Sequence, residues 1–453
     1  MALGLHPGVI LALAIGLFLG LHLLLRSPLP LTLIAVAVVA ALLGDFGIPF
    51  RHLAEGAFGF INLVLVLFAG AFFGQMMRRS GAADAAAAGI VQAAGARVLP
   101  VLALAGLPVF AVGMFVGIAG VAVLSAGVFA VPALRRIGYD NPAIAAFIAV
   151  MATAGMIAPP MNVPAQLIAD GVNMPWSNIA KPLLALSLPL AAAALSWFAW
   201  GVRAGRPLLH PPLQGHSDAV DAEALPPRPG PLKRADLPPP GGGGRLTAWL
   251  PGFAPLAVIL AIWLTVRISD AVLDPASPLI LVIGGLAALP LLPRKALRTV
   301  IMDTFTGTPL LLAAVLTGIG VLVQIMTLTG VRGWLVTDVM SLQAPWSYLS
   351  ILLGMPLLGG ALTAMAASDV LGVPAAFSFI GQDMVLNVAA LSAIASLAEF
   401  VPPTSIAAAL ACYVVGGGTV GEVFSRAWPP LALLAALAML MLAFAKELAG
   451  ALT

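Results

Sequence analysis

The sequence predicts an all-α polytopic membrane protein of about ten full spans plus two re-entrant helical hairpins, arranged as an inverted repeat. Three observations point there. Hydrophobic residues make up 61% of the chain, charged residues only 9%, and mean hydropathy is +1.08, whereas soluble domains are about a quarter charged. The apolar runs are roughly 20 residues long, which suits helices rather than alternating strands of ~10. Two of these runs are broken by adjacent prolines, in "GMIAPPMNVPAQ" (Gly155 to Gln166) and "AEFVPPTSIAAA" (Ala398 to Ala409). Lipid offers no hydrogen-bond partners, so spanning segments are helices or closed barrels.

In chain order, the expected spans are 7–25, 29–48, 58–77, 142–170, 178–201, 248–267, 275–292, 304–327, 383–412 and 424–446. The opening run lacks the basic start and small-residue cleavage site of a secretory signal, so it reads as the first span. Residues 98–134 and 346–379 are each too long for one helix and too short, with a turn, for two. Both have small residues at their centres, Gly117 with Gly120 and Gly359 with Gly360, so each is expected to form a re-entrant hairpin. Residues 203–247 are rich in proline, glycine and charge and cannot bury enough apolar surface to order themselves. They form a linker between a first membrane repeat, 1–202, and a second, 248–453.

Cytoplasmic loops hold the excess of lysine and arginine. With both hairpins in place, alternation puts 16 of the 21 basic residues on one side, leaving Arg51, Lys181, Arg267, Arg332 and Lys446 opposite. The richer side is then the cytoplasm. The hairpin at 98–134, flanked by Arg97, Arg135 and Arg136, enters from inside and that at 346–379 enters from outside. The amino terminus lies outside.

Overlaying the halves at a shift of 243 carries Gly138-Tyr139-Asp140 onto Gly381-Gln382-Asp383. The same shift carries Gly117 onto Gly360, Ser125 onto Ser368, Thr153 onto Ser396 and Pro159-Pro160 onto Pro402-Pro403. Upstream, "QMMRRSG" from Gln75 matches "QIMTLTG" from Gln324. Inverted repeats with paired interruptions are the plan of many secondary transporters, whose substrate and ion sites lie where the helices break. A mid-membrane break frees carbonyls for a cation and a helix N-terminus for an anion. The candidate substrate and ion residues are therefore Gly117, Gly120, Asn162, Gln166, Gly360, Thr363, Thr404, Ser405 and Glu399. Pro159, Pro160, Pro402 and Pro403 make the breaks. A sodium ion, if used, is expected near Gly117, Asn162, Gly360 and Thr404.

Acidic groups at membrane depth are usually functional. Glu399, three residues before Pro402, could carry a proton, help to bind a cation or serve a structural role; Asp369 reads as interfacial. The histidines fall near span ends or in the linker, with no metal-site spacing, and the single Cys412 excludes an intrachain disulfide. Scattered basic residues, without a phosphate loop or helix-turn-helix punctuation, argue against nucleic-acid binding. A membrane enzyme would need a cluster of acids, histidines or metal ligands, which the sequence lacks, so no enzyme is expected. A passive channel fits re-entrant hairpins but not two dissimilar halves in one chain.

The string "VPALRRIGYDNPAIAAFIAVMATAGMIAPPMN" resembles the large membrane subunit of tripartite ATP-independent periplasmic (TRAP) transporters, through Pro132, Arg135, Arg136, Gly138 to Asp140, Gly155, Pro159 and Pro160. "GGALTAMAASDVLGVP" and "EFVPPTSIAA" are similar to that family's later hairpin and second break. The resemblance implies an elevator-type permease in the bacterial inner membrane that takes small organic anions from a periplasmic binding protein. It also implies a small membrane subunit alongside and sodium coupling. Two positions depart: Val116-Gly117-Ile118 stands where the family is Ser-Gly-Ser-like, and Thr363 where an Asp is usual. Fewer oxygen ligands suit a hard cation poorly, so proton coupling through Glu399 or a single weak sodium site is the expectation.

Overall fold

The computed structural model describes residues 4–95, 97–203, 250–268, 277–293, 296–341, 345–361, 363–402 and 404–452. Apart from Arg203, the expected linker lies outside the described residues, as does Pro403. The described chain is helical, with no strand. The first half contains α1 (Pro7–Leu19), α2 (Leu29–Leu43), α3 (Phe50–Phe58), α4 (Ile61–Arg79), α5 (Ala82–Ala94) and α6 (Val98–Val116). It continues with α7 (Ala119–Ser125), α8 (Gly127–Arg136), α9 (Asn141–Ile157), α10 (Val163–Gly171) and α11 (Ala180–Arg203). The second half contains α12 (Leu250–Ile268), α13 (Ser277–Leu286), α14 (Ala296–Thr304), α15 (Thr308–Leu328), α16 (Val331–Ser341) and α17 (Trp346–Ala361). After these come α18 (Ala364–Ala367), α19 (Val373–Ser378), α20 (Met384–Ser396), α21 (Ile406–Val415), α22 (Val420–Ala443) and α23 (Ala445–Leu452).

Among the described residues, five helical stretches are long and apolar enough to cross a membrane: Phe50–Arg79, Val98–Val116, Ala180–Gly201, Ala296–Leu328 and Val420–Ala443. The pair α7 and α8, bent by 57°, makes a sixth if counted as one span. This is fewer than the ten expected because several expected spans are interrupted. The 142–170 stretch is divided into α9 and α10, 383–412 into α20, a 3₁₀ turn (Leu397–Phe400) and α21, and 275–292 into α13 and a 3₁₀ turn. In the 98–134 stretch the first arm, α6, is itself long enough to span, and a break at Gly117–Ile118 separates it from α7. The chain has the helices of a multi-pass membrane protein.

Several matched residues of the two halves play matched roles. Shifted by 243, α9 falls on 384–400, which is α20 plus its 3₁₀ turn, and α10 falls on 406–414, which is α21 short of its last residue. Asp140 and Asp383 are the N-caps of α9 and α20, accepting from Ala143 N and Leu386 N at 3.0 Å each. That is the reason for an acid one residue before each helix. Ser125 and Ser368 donate to the carbonyls of Val121 and Ala364, and Thr153 and Ser396 to those of Ala149 and Ser392. Each hydroxyl is thereby satisfied inside its own helix.

α9 and α20 form the centre. Every residue of α9 from Ala143 to Ile157, and of α20 from Leu386 to Ser396, is buried. Alanine and glycine permit this, since small side chains let backbones approach closely. At Gly155, facing α6, an added Cβ would lie 2.2 Å from the Phe110 carbonyl oxygen. The halves then pack reciprocally: α10 rests on α20 and the π-turn Ser368–Gly372, while α21 rests on α9 and α7. The second piece of each broken helix is thus seated on the opposite half.

Candidate functional site

At the first break α9 ends on Ile157, residues 158–162 are not helical, the Pro159–Pro160 peptide is cis, and α10 begins at Val163. A broken helix leaves unpaired carbonyls on one side and unpaired N–H groups on the other. One buried side chain serves both. Asn162 Oδ1 accepts from Ala165 N at 2.9 Å, and its Nδ2 donates to Ile157 O at 3.0 Å. The same nitrogen donates to Ser392 Oγ of α20 at 3.1 Å, which ties the first break to the second half.

The second break closes differently. Here the counterpart of Asn162 is Ser405, whose backbone is left-handed at φ 41° and whose side chain does not cap α21. The cap comes from Glu399 instead, buried in the 3₁₀ turn, whose Oε2 accepts from Ala407 N at 2.9 Å. Thr404 N donates to Gly360 O at 2.9 Å. The hydroxyls Thr404 Oγ1 and Ser405 Oγ are buried with no hydrogen-bond partner among the described residues.

Each break is met by the interruption upstream of it. Gly117, at φ +71°, ends α6 against the first break, where a Cβ would lie 1.6 Å from Met161 O. Gly360 meets the second, where a Cβ would lie 2.6 Å from Val401 Cγ1 and 2.8 Å from the carbonyl oxygens of Val401 and Pro402. Gly120 on α7 faces Leu410 of α21, 3.0 Å from its would-be Cβ. Thr363 caps α18, its hydroxyl accepting from Ala366 N at 3.0 Å. Gln166 turns its amide to the Met161 sulfur, 3.8 Å away, outside the Asn162 network. Gly120 and Thr404 share the wall of a narrow, half-open cleft with about 30 Å³ of free volume, between α4 and α15 on one side and α7 and α21 on the other.

The structure therefore gathers the candidates into two clusters: Gly117, Asn162 and Pro160 at one, and Gly360, Glu399, Pro402, Thr404 and Ser405 at the other. The four sodium candidates do not make one donor set. Gly117 and Gly360 bring no side-chain oxygen, and Asn162 Oδ1 is occupied by Ala165 N–H. This leaves Thr404 Oγ1 as the spare side-chain oxygen of the four, where a hard cation takes several. Among the described residues no three His, Cys, Asp or Glu side chains gather as a metal cluster. Asp369 is half-exposed and paired with Arg332.

Several partners escaped the sequence reading. Ser392 has no motif around it. Arg78 and Arg135 both donate to the last carbonyls of α21, at Val414 and Val415, and Arg78 lies over the Tyr413 ring. Cations are favourable at a helix C-terminus, and a basic pair at the end of α8 was the available signal. Arg426 Nη1 pairs with Asp140 Oδ1 at 2.7 Å, so α22 of one half holds the start of α9 of the other. Compared with known proteins, the chain matches no protein-family model and no curated protein.

Proposed function

We propose that this chain is the permease of a secondary active transporter, moving a small organic anion across a bacterial inner membrane by elevator-type alternating access. The observation that carries the reading is the meeting of paired interruptions: two broken helices, each abutted by a second break, in two halves with the same element order. That is where such transporters bind substrate and coupling ion. In this reading, α6 with α7–α8 and α17 with α18–α19 are the two re-entrant hairpins, and the interrupted helices complete about ten spans. The reciprocal seating of α10 and α21 is what a two-fold relation between inverted halves would generate. Arg78, Arg135, Arg426 and Asp140 meet at the end of the bundle marked by the α21 C-terminus, in keeping with a basic cytoplasmic side.

The motif resemblance supports a TRAP-type permease working with a binding protein and a small membrane subunit. Glu399 favours a second reading, a stand-alone proton-coupled permease, because it places an ionisable group at the second break. The test is uptake of radiolabelled organic acids into proteoliposomes under separately imposed sodium and proton gradients. Concentrative uptake under one gradient is expected. Flux that only equilibrates, or none for any acid, would remove the coupled-transporter reading.

A further inference from the structure

The N-terminus of α21 is a place where an anion is at home, since free N–H groups and the helix dipole both favour negative charge. It already holds a carboxyl, that of Glu399, on Ala407 N–H. Next in the chain to this helix start, two hydroxyl donors, Thr404 Oγ1 and Ser405 Oγ, are buried and have no partner among the described residues. Native proteins rarely leave such groups unsatisfied without a ligand or functional reason. Thr404 and Ile406 also line the cleft described above, and ten of its twelve lining residues are leucine, isoleucine or valine.

Among the described residues, the surroundings give Glu399 no counter-charge. Its turn packs on α17, α18, α20, α21 and α22. The titratable groups on those helices are Tyr348, Cys412, Tyr413, Glu422 and Arg426. Glu422 caps its own helix with Thr419, and Arg426 pairs with Asp140. The influences that act on the Glu399 carboxyl are burial and the Ala407 N–H. A second carboxylate brought to the same helix end would meet like charge in a poorly solvated place, a repulsion that a proton on Glu399 removes.

We propose that the α21 N-terminus with Thr404 and Ser405 is a carboxylate seat, held in this state by Glu399 and taken by the cargo when Glu399 is protonated. The cargo class is a short aliphatic monocarboxylate, its carboxylate on the seat and its hydrocarbon body between the aliphatic walls of the adjoining cleft, which part to admit it. A dicarboxylate fits badly, because its second charge would enter a wall of aliphatic side chains with no basic group. One proton enters Glu399 for each anion seated, which makes transport a proton–anion symport. The assignment rests on the transporter reading above for its role, though not for its binding chemistry.

The test uses the full-length protein in nanodiscs and isothermal titration with isovalerate, acetate and succinate between pH 6 and 8.5, where each probe is anionic. Wild type is expected to bind isovalerate more tightly than succinate, with affinity falling toward tenfold per pH unit at the alkaline end and one proton taken up per anion. Glu399→Gln keeps an acceptor for Ala407 N–H and should bind isovalerate with no pH slope. Thr404→Val should lose about tenfold in affinity with the slope intact, as expected for one hydrogen bond to a charged group. Leu316→Trp, on the facing wall, should weaken isovalerate more than acetate. An unchanged slope in Glu399→Gln, or succinate binding as tightly as isovalerate, overturns the seat. Should isovalerate fail to bind while another organic acid is still concentrated in proteoliposomes, the seat falls and the transporter reading stands. Should isovalerate bind with this slope while no acid is concentrated, the reverse holds.

Discussion

Gly117 allows a close backbone approach to be tested with an internal control. Its φ of +71° nearly matches the +74° of Gly81, so an alanine at either position meets the same left-handed backbone. That conformation costs an L-residue about 1–2 kcal/mol. The positions differ in what surrounds them: nothing lies within 4 Å of a Cβ at Gly81, whereas at Gly117 the Met161 carbonyl oxygen would be 1.6 Å away. A normal carbon–oxygen contact is about 3.3 Å, so the Met161 carbonyl would have to retreat by roughly 1.7 Å, and Asn162 follows it in the chain. Overpacking of this kind adds about 1–3 kcal/mol. Gly81→Ala should therefore destabilise by about 1–2 kcal/mol and Gly117→Ala by about 2–5 kcal/mol. Denaturant unfolding of the two purified variants in the same detergent measures the difference, and uptake assays read its effect on the site. Equal destabilisation of the two would refute the claim that the α6 tip is docked on the first break.

Asn162→Leu removes the acceptor for Ala165 N–H and the donor to Ile157 O and Ser392 at once, and should cost about 2–4 kcal/mol in unfolding. Asn162→Asp keeps the cap to Ala165 and should lose the link to Ser392, which a double-mutant cycle with Ser392→Ala would show as coupling. Tyr139 donates its hydroxyl to Phe198 O at 2.7 Å, and burial pushes its phenol above the ordinary range, so it remains a donor at any working pH. Tyr139→Phe should lose about 1–2 kcal/mol, by an amount unchanged between pH 6 and 9. Arg426→Met leaves Asp140 half-exposed rather than stranded, so a loss nearer 1 than 4 kcal/mol is expected; a larger loss would mean that the guanidinium positions α22 as well. Hydrogen exchange, corrected for intrinsic rates, should show the 404–410 segment losing protection on acidification while 162–168 does not, and Glu399→Gln should abolish the difference.

The two Pro-Pro strings announce two broken helices because a proline pair cannot continue the hydrogen-bond ladder, and the structure interrupts the helices there. The acids of Gly-Tyr-Asp and Gly-Gln-Asp announce helix starts by the same local logic, and both are caps. What could not be read was the means of closing each break. Asn162 and Ser405 occupy equivalent positions, and both residue types are good N-caps. One caps its helix and the other does not, because Ser405 adopts a left-handed backbone while Glu399, six residues upstream, reaches Ala407. The position matching Glu399 in the first half is Met156, a buried apolar residue that offers no such group. Only three-dimensional packing decides that exchange of roles, and its chemical consequence is large. The first break is closed by a neutral amide whose bonds do not change between ordinary pH values. The second is closed by an ionisable carboxyl, beside two hydroxyls with no partner among the described residues, so under the proposal above a single proton would alter one break and leave the other shut. Two halves with matched element order thus carry unmatched chemistry, and the ionisable group lies in the second half.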